Sequence, residues 1–367
     1  MDVKEATKAY EAWLRSSIPL ITEDLERKHQ RMAQSPFSFL RATFYRWIQL
    51  WQQVCPELGQ ASEVLSVGDL HVENFGVWRD AEARLVWGVN DFDETERMPY
   101  TNDLVRLAAS ATLAISENHL SCTPAEACDA ILRGYREAID NGGTPFVLAE
   151  QHRWLRDLAT NDERDPALYW QKFNELATVK VVPPEAGTAL KAALPEGHLK
   201  FRVVHRQAGL GSLGRRRYAA LAQWRGGWIA REVKELTVSA WHWQQGDPGK
   251  MPILYQKAVD QVLRFRDPFI ALSGRWLIRR LAPDCSRIEL GSLPKSKNEL
   301  KLLFAMGQET ANVHLGSKAA VRALHKDLRQ RPAKWLRRAA EAMTKATLDD
   351  WKKWARFSRD EPGSGRR

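Results

Sequence analysis

Residues 64–103 read VLSVGDLHVENFGVWRDAEARLVWGVNDFDETERMPYTND, and the fold turns on how this stretch is taken. Val64, Leu65 and Val67 form an apolar strand that runs into the polar turn Gly68-Asp69-Leu70-His71-Val72-Glu73-Asn74. Phe75, Val77 and Trp78 resume a strand, Arg79-Asp80-Ala81-Glu82 supply a hairpin turn, and Leu85, Val86, Trp87 and Val89 lead back to Asn90-Asp91-Phe92-Asp93-Glu94. Such a hairpin returns Asp91 and Asp93 to the neighbourhood of Asp69 and Asn74, on one rim.

Asp and Asn are ordinary turn residues, and any one of these taken singly would be read so. As a set bracketed by buried strands they suit phosphoryl transfer with Mg²⁺. That chemistry needs an acid to orient the attacking oxygen and hard oxygen ligands to hold the metal against phosphates. Asp69 and Asn74 have the D-x-x-x-x-N spacing of a kinase catalytic loop, and Asp91-Phe92 stands where a metal-binding Asp follows a short hairpin. On this reading Asp69 is the catalytic base, and Asn74, Asp91 and Asp93 are candidate Mg²⁺ ligands.

Gly68-Asp69-Leu70-His71-x-x-Asn74 resembles the G-D-x-H-x-x-N loop of the aminoglycoside phosphotransferase and choline kinase branch of the protein-kinase-like superfamily. GDLHVENFG with NDFDE, preceded by RMAQSPFSFLR and followed by DLVRLAAS, is similar to the bacterial domain of unknown function 2252 family, over roughly residues 31–317. The resemblance implies that Arg31 and Arg41 face phosphate. Each is equally well read as part of a solvated basic face.

The second informative stretch is residues 201–236, FRVVHRQAGLGSLGRRRYAALAQWRGGWIAREVKEL. Gly209-x-Gly211-x-x-Gly214 after a strand is shared with dinucleotide-binding folds. Such a loop should open a helix, however, and here Arg217-Tyr218-Ala219-Ala220-Leu221-Ala222 continues as strand to a turn at Gly226-Gly227. The next strand ends on Lys234. Glycine loop, hairpin and lysine make the kinase pattern for holding the phosphates of ATP, with Gly209, Gly211, Ser212, Gly214 and Lys234 as the candidate nucleotide contacts. Two departures stand out. Arg216 occupies the position that should lie over the adenine, and no Glu occurs between Leu236 and Ile288 to pair the lysine. Gln256, Asp260 and Gln261 on a predicted helix over 254–265 are the substitutes on offer.

The remaining chain reads mostly as helix. Helical spacing of Tyr10, Trp13, Phe39, Trp47 and Trp51 covers residues 1–60, and further helices are predicted over 102–115, 125–138, 145–158 and 166–176. A charged break at 161–165 interrupts them, and Pro183-Pro184 ends the region. Asp103 lies near a helix start, where it can cap or brace the loop at Asp69. Strand 276–281 leads to a hinge at Ala282-Pro283-Asp284, and a helix covers 298–314. In the basic tail, Trp335, Leu336, Trp351, Trp354 and Phe357 read as an amphipathic helix packing its tryptophans, with nucleic-acid binding as the other reading, and 361–367 as a disordered end.

The 367 residues carry a net charge of +10, which favours acidic partners such as phosphates, nucleotides or nucleic acid without choosing among them, with 44% hydrophobic residues. Cys55, Cys122, Cys128 and Cys285 show no metal or disulfide spacing. The first residues read as a charged helix start, no run is apolar enough for a membrane, and a cytoplasmic location is expected.

The sequence therefore predicts an α+β, two-lobed protein-kinase-like fold. A catalytic part covers 1–195, a small antiparallel nucleotide lobe 196–285, and a helical return with a basic tail 286–367. Because the catalytic loop precedes the glycine loop, the fold is expected to be circularly permuted. The expected activity is ATP- and Mg²⁺-dependent phosphoryl transfer to a small hydroxylated molecule. Nucleotidyl (AMP) transfer, or a catalytically silent nucleotide- or nucleic-acid-binding protein, are the alternatives.

Overall fold

A computed structural model describes residues 1–148, 150–159, 165–246, 251–285 and 298–360. Residues 161–164 of the predicted break at 161–165, and the predicted disordered end at 361–367, lie outside these residues. The N-terminal helices are α1 (Val3–Ser17), α2 (Thr22–Gln34), α3 (Pro36–Ala42) and α4 (Phe44–Val54). Local chemistry sets their starts. Asp2 and Glu5 form a capping box on α1, and Ser35 Oγ accepts the Ser38 N–H at 3.2 Å with Pro36 at the first position of α3.

Strand β1 (Glu63–Ser66) pairs antiparallel with β4 (Glu96–Pro99), while β2 (Phe75–Arg79) and β3 (Leu85–Val89) form the predicted hairpin, extended by β5 (Phe146–Val147). Neither β4 nor β5 is legible as a strand, being too short to show alternation. Pairing with a distant neighbour imposes their conformation, so the helix expected over 145–158 is replaced by β5 and the short α7 (Arg153–Ala159). Helix α5 (Tyr100–Ser116) is buried on almost every side and runs through the core, with α6 (Pro124–Asn141) beside it.

Helices α8 (Pro166–Asn174) and α9 (Pro184–Ala192) come next. Pro184 opens α9 instead of ending the helical region, as suits a residue whose missing N–H costs nothing at a first helical position. The five-stranded sheet runs in the order β6 (Arg202–His205), β7 (Arg217–Trp224), β8 (Gly227–Glu235), β10 (Trp276–Leu281), β9 (Ala271–Ser273), all antiparallel. Phe173 of α8 packs on Ala219, Leu221 and Ala230, and Ala186, Ala189 and Leu190 of α9 pack on Tyr218, Ala220 and Val233 across the sheet. The expected division at 195/196 therefore cuts between this sheet and helices that share its core.

Short helices α10 (Ala240–Gln244) and α11 (Tyr255–Gln261) connect the strands, the latter shorter than the predicted 254–265. Helix α12 (Glu299–Leu315) returns to the main core and leads to α13 (Val321–Gln330) and α14 (Trp335–Asp360). Trp335, Leu336 and Trp354 of α14 are buried, so the tail tryptophans pack inward. No helix of the described residues is long and apolar enough to cross a membrane.

Helices α6 and α12 meet with a glycine on each. A Cβ on Gly134 would collide with the Phe304 carbonyl, and one on Gly307 with the Ile131 carbonyl. Gly307→Ala should lower stability by about 1–2 kcal/mol in urea denaturation. The collision is with backbone, so the overpacking cost falls at the upper end of its usual range, about 2–3 kcal/mol, and outweighs the gain of about 1 kcal/mol in helix propensity. Unchanged or raised stability would mean that these helices can separate freely.

Candidate active site

Strand β1 delivers the 68–74 loop, and three helices hold it from below. Asp103 of α5 accepts the N–H groups of Val67 (2.7 Å) and Gly68 (2.9 Å) on its two oxygens. His314 of α12 places Nε2 3.0 Å from Asp103 Oδ2, and Tyr135 of α6 lies 2.8 Å from His314 Nδ1. Asp103 thus braces the loop and does not cap its own helix, which starts at Tyr100 without a side-chain cap. A buried N–H left unpaired costs roughly 1–3 kcal/mol, so this carboxylate, which satisfies two, is a major support of the loop.

Asn74 donates its Nδ2 to the Asp69 carbonyl at 2.7 Å, which fixes the amide and leaves Oδ1 as the acceptor. Its own carbonyl accepts the Asn90 N–H at 2.7 Å, joining the two halves of the rim. Asp69 Oδ1 accepts from Arg106 Nε at 3.0 Å and also from Nη2. Arg106 is fully buried, lies over the Phe44 and Trp47 rings, and donates to the Leu40 carbonyl at 2.8 Å. Burial pushes the Asp69 carboxyl up to about 7, against the pull of Arg106, which suits a group that takes a proton near neutral pH.

The glycine loop lies over this rim. Gly209 and Gly214 have positive φ, and a Cβ on Gly211 would sit 3.1 Å from the Arg41 carbonyl and 3.2 Å from Asp69 Oδ2. Lys234 of β8 is fully buried, with Nζ 3.3 Å from Asp91 Oδ1 and 2.5 Å from Asp93 Oδ1. The structure thus brings together Asp69, Asn74, Asp91, Asp93, Gly211 and Lys234. Ser212 is turned to Arg217, whose Nη2 it accepts at 2.9 Å.

Two sequence expectations are corrected. Arg216 does not lie over the cleft: it makes two 2.7 Å bonds to Glu235 and lies over Trp276, on the other face of the sheet. Strand alternation instead turns Arg217 inward. The partner of Lys234 is not on the helix after β8, because Gln256 and Asp260 bond each other at 3.0 Å and Arg266 bonds Asp260. Asp93 fills that place. Burial and the Asp91 charge push Asp93 up to about 6, whereas Lys234 holds Asp91 well below the usual carboxylate range against the effect of burial.

The rim and the sheet enclose a cleft of about 1520 Å³. Its lining includes the apolar Leu168, Leu281 and Pro283 with Tyr169, and Arg27, Lys28 and Arg31 of α2 with Arg41. Arg41 pairs with Glu73 at 2.6 Å. Also lining the cleft, Arg206 (2.7 Å) and Arg217 (3.1 Å) both bond the fully buried Glu232, and Arg279 bonds Asn90 Oδ1 at 3.0 Å. Sequence reading misses Arg106, Glu232 and this arginine cluster. Glu232 is open to detection, since it stands two residues before Lys234 and so shares its face.

Among the described residues no three His, Cys, Asp or Glu side chains are grouped to hold a metal ion. The rim offers two carboxylates and one amide oxygen, and Asp91 is 35% exposed toward the cleft. That donor set fits Mg²⁺, which is commonly held by one or two carboxylates together with substrate phosphates.

A family model described as an uncharacterized protein conserved in bacteria, DUF2252, matches residues 20–167. The match supports the resemblance read from GDLHVENFG; it takes in α2 and the Asp69–Asp93 rim and stops short of the glycine loop. No curated protein and no solved structure matches the chain.

Proposed function

We propose that the chain is an ATP- and Mg²⁺-dependent phosphotransferase acting on a small hydroxylated molecule, built on a circularly permuted kinase-like fold. One observation carries this reading. Lys234 meets Asp91 across a separation of 143 residues while Gly211 abuts Asp69. A buried ion pair is weak evidence for stability, since apolar residues of the same volume often serve as well, so its presence in a cleft argues for a task.

In that task Lys234 and the N–H groups of the glycine loop hold donor phosphates. Asn74 Oδ1, Asp91 and Asp93 would hold Mg²⁺, which when bound supplies neutralisation of phosphate charge. Asp69, oriented by Arg106, accepts the proton of the acceptor hydroxyl. The cleft exceeds the roughly 300–1,000 Å³ of a single small-molecule site, which leaves room for donor and acceptor together. The permutation is supported where α12 ends: the Leu65 N–H donates to Ser317 Oγ at 2.7 Å, so β1 begins beside the point a non-permuted chain would enter it.

Nucleotidyl transfer is the second reading, favoured by Arg206, Arg217 and Arg279 on the cleft face of the sheet. Three guanidiniums around one carboxylate suit terminal phosphates better than a buried purine. Incubation with Mg-ATP labelled separately at the α and γ phosphates, together with cell extract, distinguishes the two. The γ label should pass to a small-molecule fraction, and Mg-ATP at about 100 times its Kd should add roughly 2.7 kcal/mol of stability. Transfer of the α label instead establishes nucleotidyl transfer. Stabilisation without transfer of either label indicates a silent binder, and absence of both stabilisation and transfer overturns the reading.

A further inference from the structure

Lys28 is a cation placed where no structural need puts one. It lies on the inner face of α2 and is 5% exposed, and its Nζ donates to the Gly211 carbonyl at 2.9 Å. Among the described residues no carboxylate forms an ion pair with it; the charges around it are Arg215, Glu11, Glu94 and Asp69. An ammonium has three donors, and one neutral carbonyl, with the Tyr45 ring 6.0 Å away, is a poor return for removing it from water. Burial, with Arg215 adding to it, accordingly lowers its pKa to about 8.

The position gives this cation a use. Lys28 holds the same glycine, Gly211, whose Cβ position lies 3.2 Å from Asp69 Oδ2. On the phosphotransferase reading, on which this inference rests, the group under transfer must lie between the glycine loop and Asp69. We propose that Lys28 is a further phosphoryl-binding residue, which exchanges the Gly211 carbonyl for an oxygen of the terminal phosphate of the donor. As the acceptor oxygen bonds to that phosphorus and the bond to the bridging oxygen breaks, the acceptor proton passes to Asp69 and ADP departs. Lys28 holds the charge of the moving phosphoryl throughout. Lys28 reaches the loop from α2, whereas Lys234 stands on β8 beside Asp91 and Asp93.

The alternative is that Lys28 only fastens α2 to the loop, and the two roles move stability in opposite directions. Lys28→Met removes a buried, unpaired charge and keeps the volume, so the unliganded variant should melt at the same temperature or higher. Its affinity for Mg-ATP should fall roughly 10- to 100-fold, the worth of one charge-assisted hydrogen bond, while affinity for Mg-ADP changes less than about threefold. Lys28→Gln keeps a donor for the Gly211 carbonyl without the charge, and should show the same split between the two nucleotides even if the Met variant is unstable. Equal losses for ATP and ADP, or no loss for either, overturn the assignment while leaving nucleotide binding intact. A wild-type protein that binds neither nucleotide removes the phosphotransferase reading and this one with it.

Discussion

Asp91→Asn should lose nucleotide affinity and turnover together. Asp91 is the rim carboxylate most open to the cleft, at 35% exposure, and it shares Lys234 with the deeper Asp93. Asparagine keeps the shape but removes the anionic oxygen a hard cation requires, and it leaves Lys234 with a single carboxylate. Turnover should drop on the order of 10²–10³-fold, as when one electrostatic support of a transition state is removed. The Mg-ATP-induced rise in Tm should shrink with it. Folding should survive, because Asp93 still neutralises the buried ammonium. Calorimetric titration of Mg-ATP beside a transfer assay measures both losses, and intact nucleotide affinity would show that Asp91 does not face the phosphates.

Asp69→Asn should separate what Asp91→Asn loses together. Asp69 takes no part in holding Lys234; its Oδ1 is bound to Arg106 and its Oδ2 lies beside Gly211. The amide cannot take a proton, so turnover should fall about 10²–10⁴-fold, the usual worth of a positioned general base. Affinity for Mg-ATP should stay within about threefold of wild type. The variant also deprives the fully buried Arg106 of its counter-charge, so a lower Tm is expected and must be measured alongside. Loss of nucleotide affinity equal to that of the Asp91 variant would mean that the two acids have been given the wrong roles.

The 68–74 loop, the hairpin and the glycine loop are legible in the sequence because each is encoded within a few residues. The apolar run of Val64, Leu65 and Val67 and the alternation of Phe75 and Val77 mark the strands, and the polar turn between them has no other place in a core. The short strands β4 and β5 are not legible, since four and two residues carry no period and take their conformation from partners elsewhere in the chain. Pro183-Pro184 misleads because proline both ends helices and begins them, and only the packing of residues 185–192 on the sheet decides between the two. Counting from Gly214 places Arg216 over the cleft; the turn into β7 sends it outward and brings Arg217 in.

By itself the sequence determined the chemical inventory: acids and an asparagine at loop spacing, a glycine loop between strands, and a lysine at the end of the strand that follows. These come from local backbone period and from turn chemistry, which act over a handful of residues. The tertiary structure alone decided who meets whom. It gave Lys234 to Asp93 and Asp91, Asp69 to Arg106, Glu232 to Arg206 and Arg217, and Lys28 to Gly211. Each is a charge taken out of water, where an unpaired ion is costly, so its partner is set by which surfaces the whole chain buries against one another.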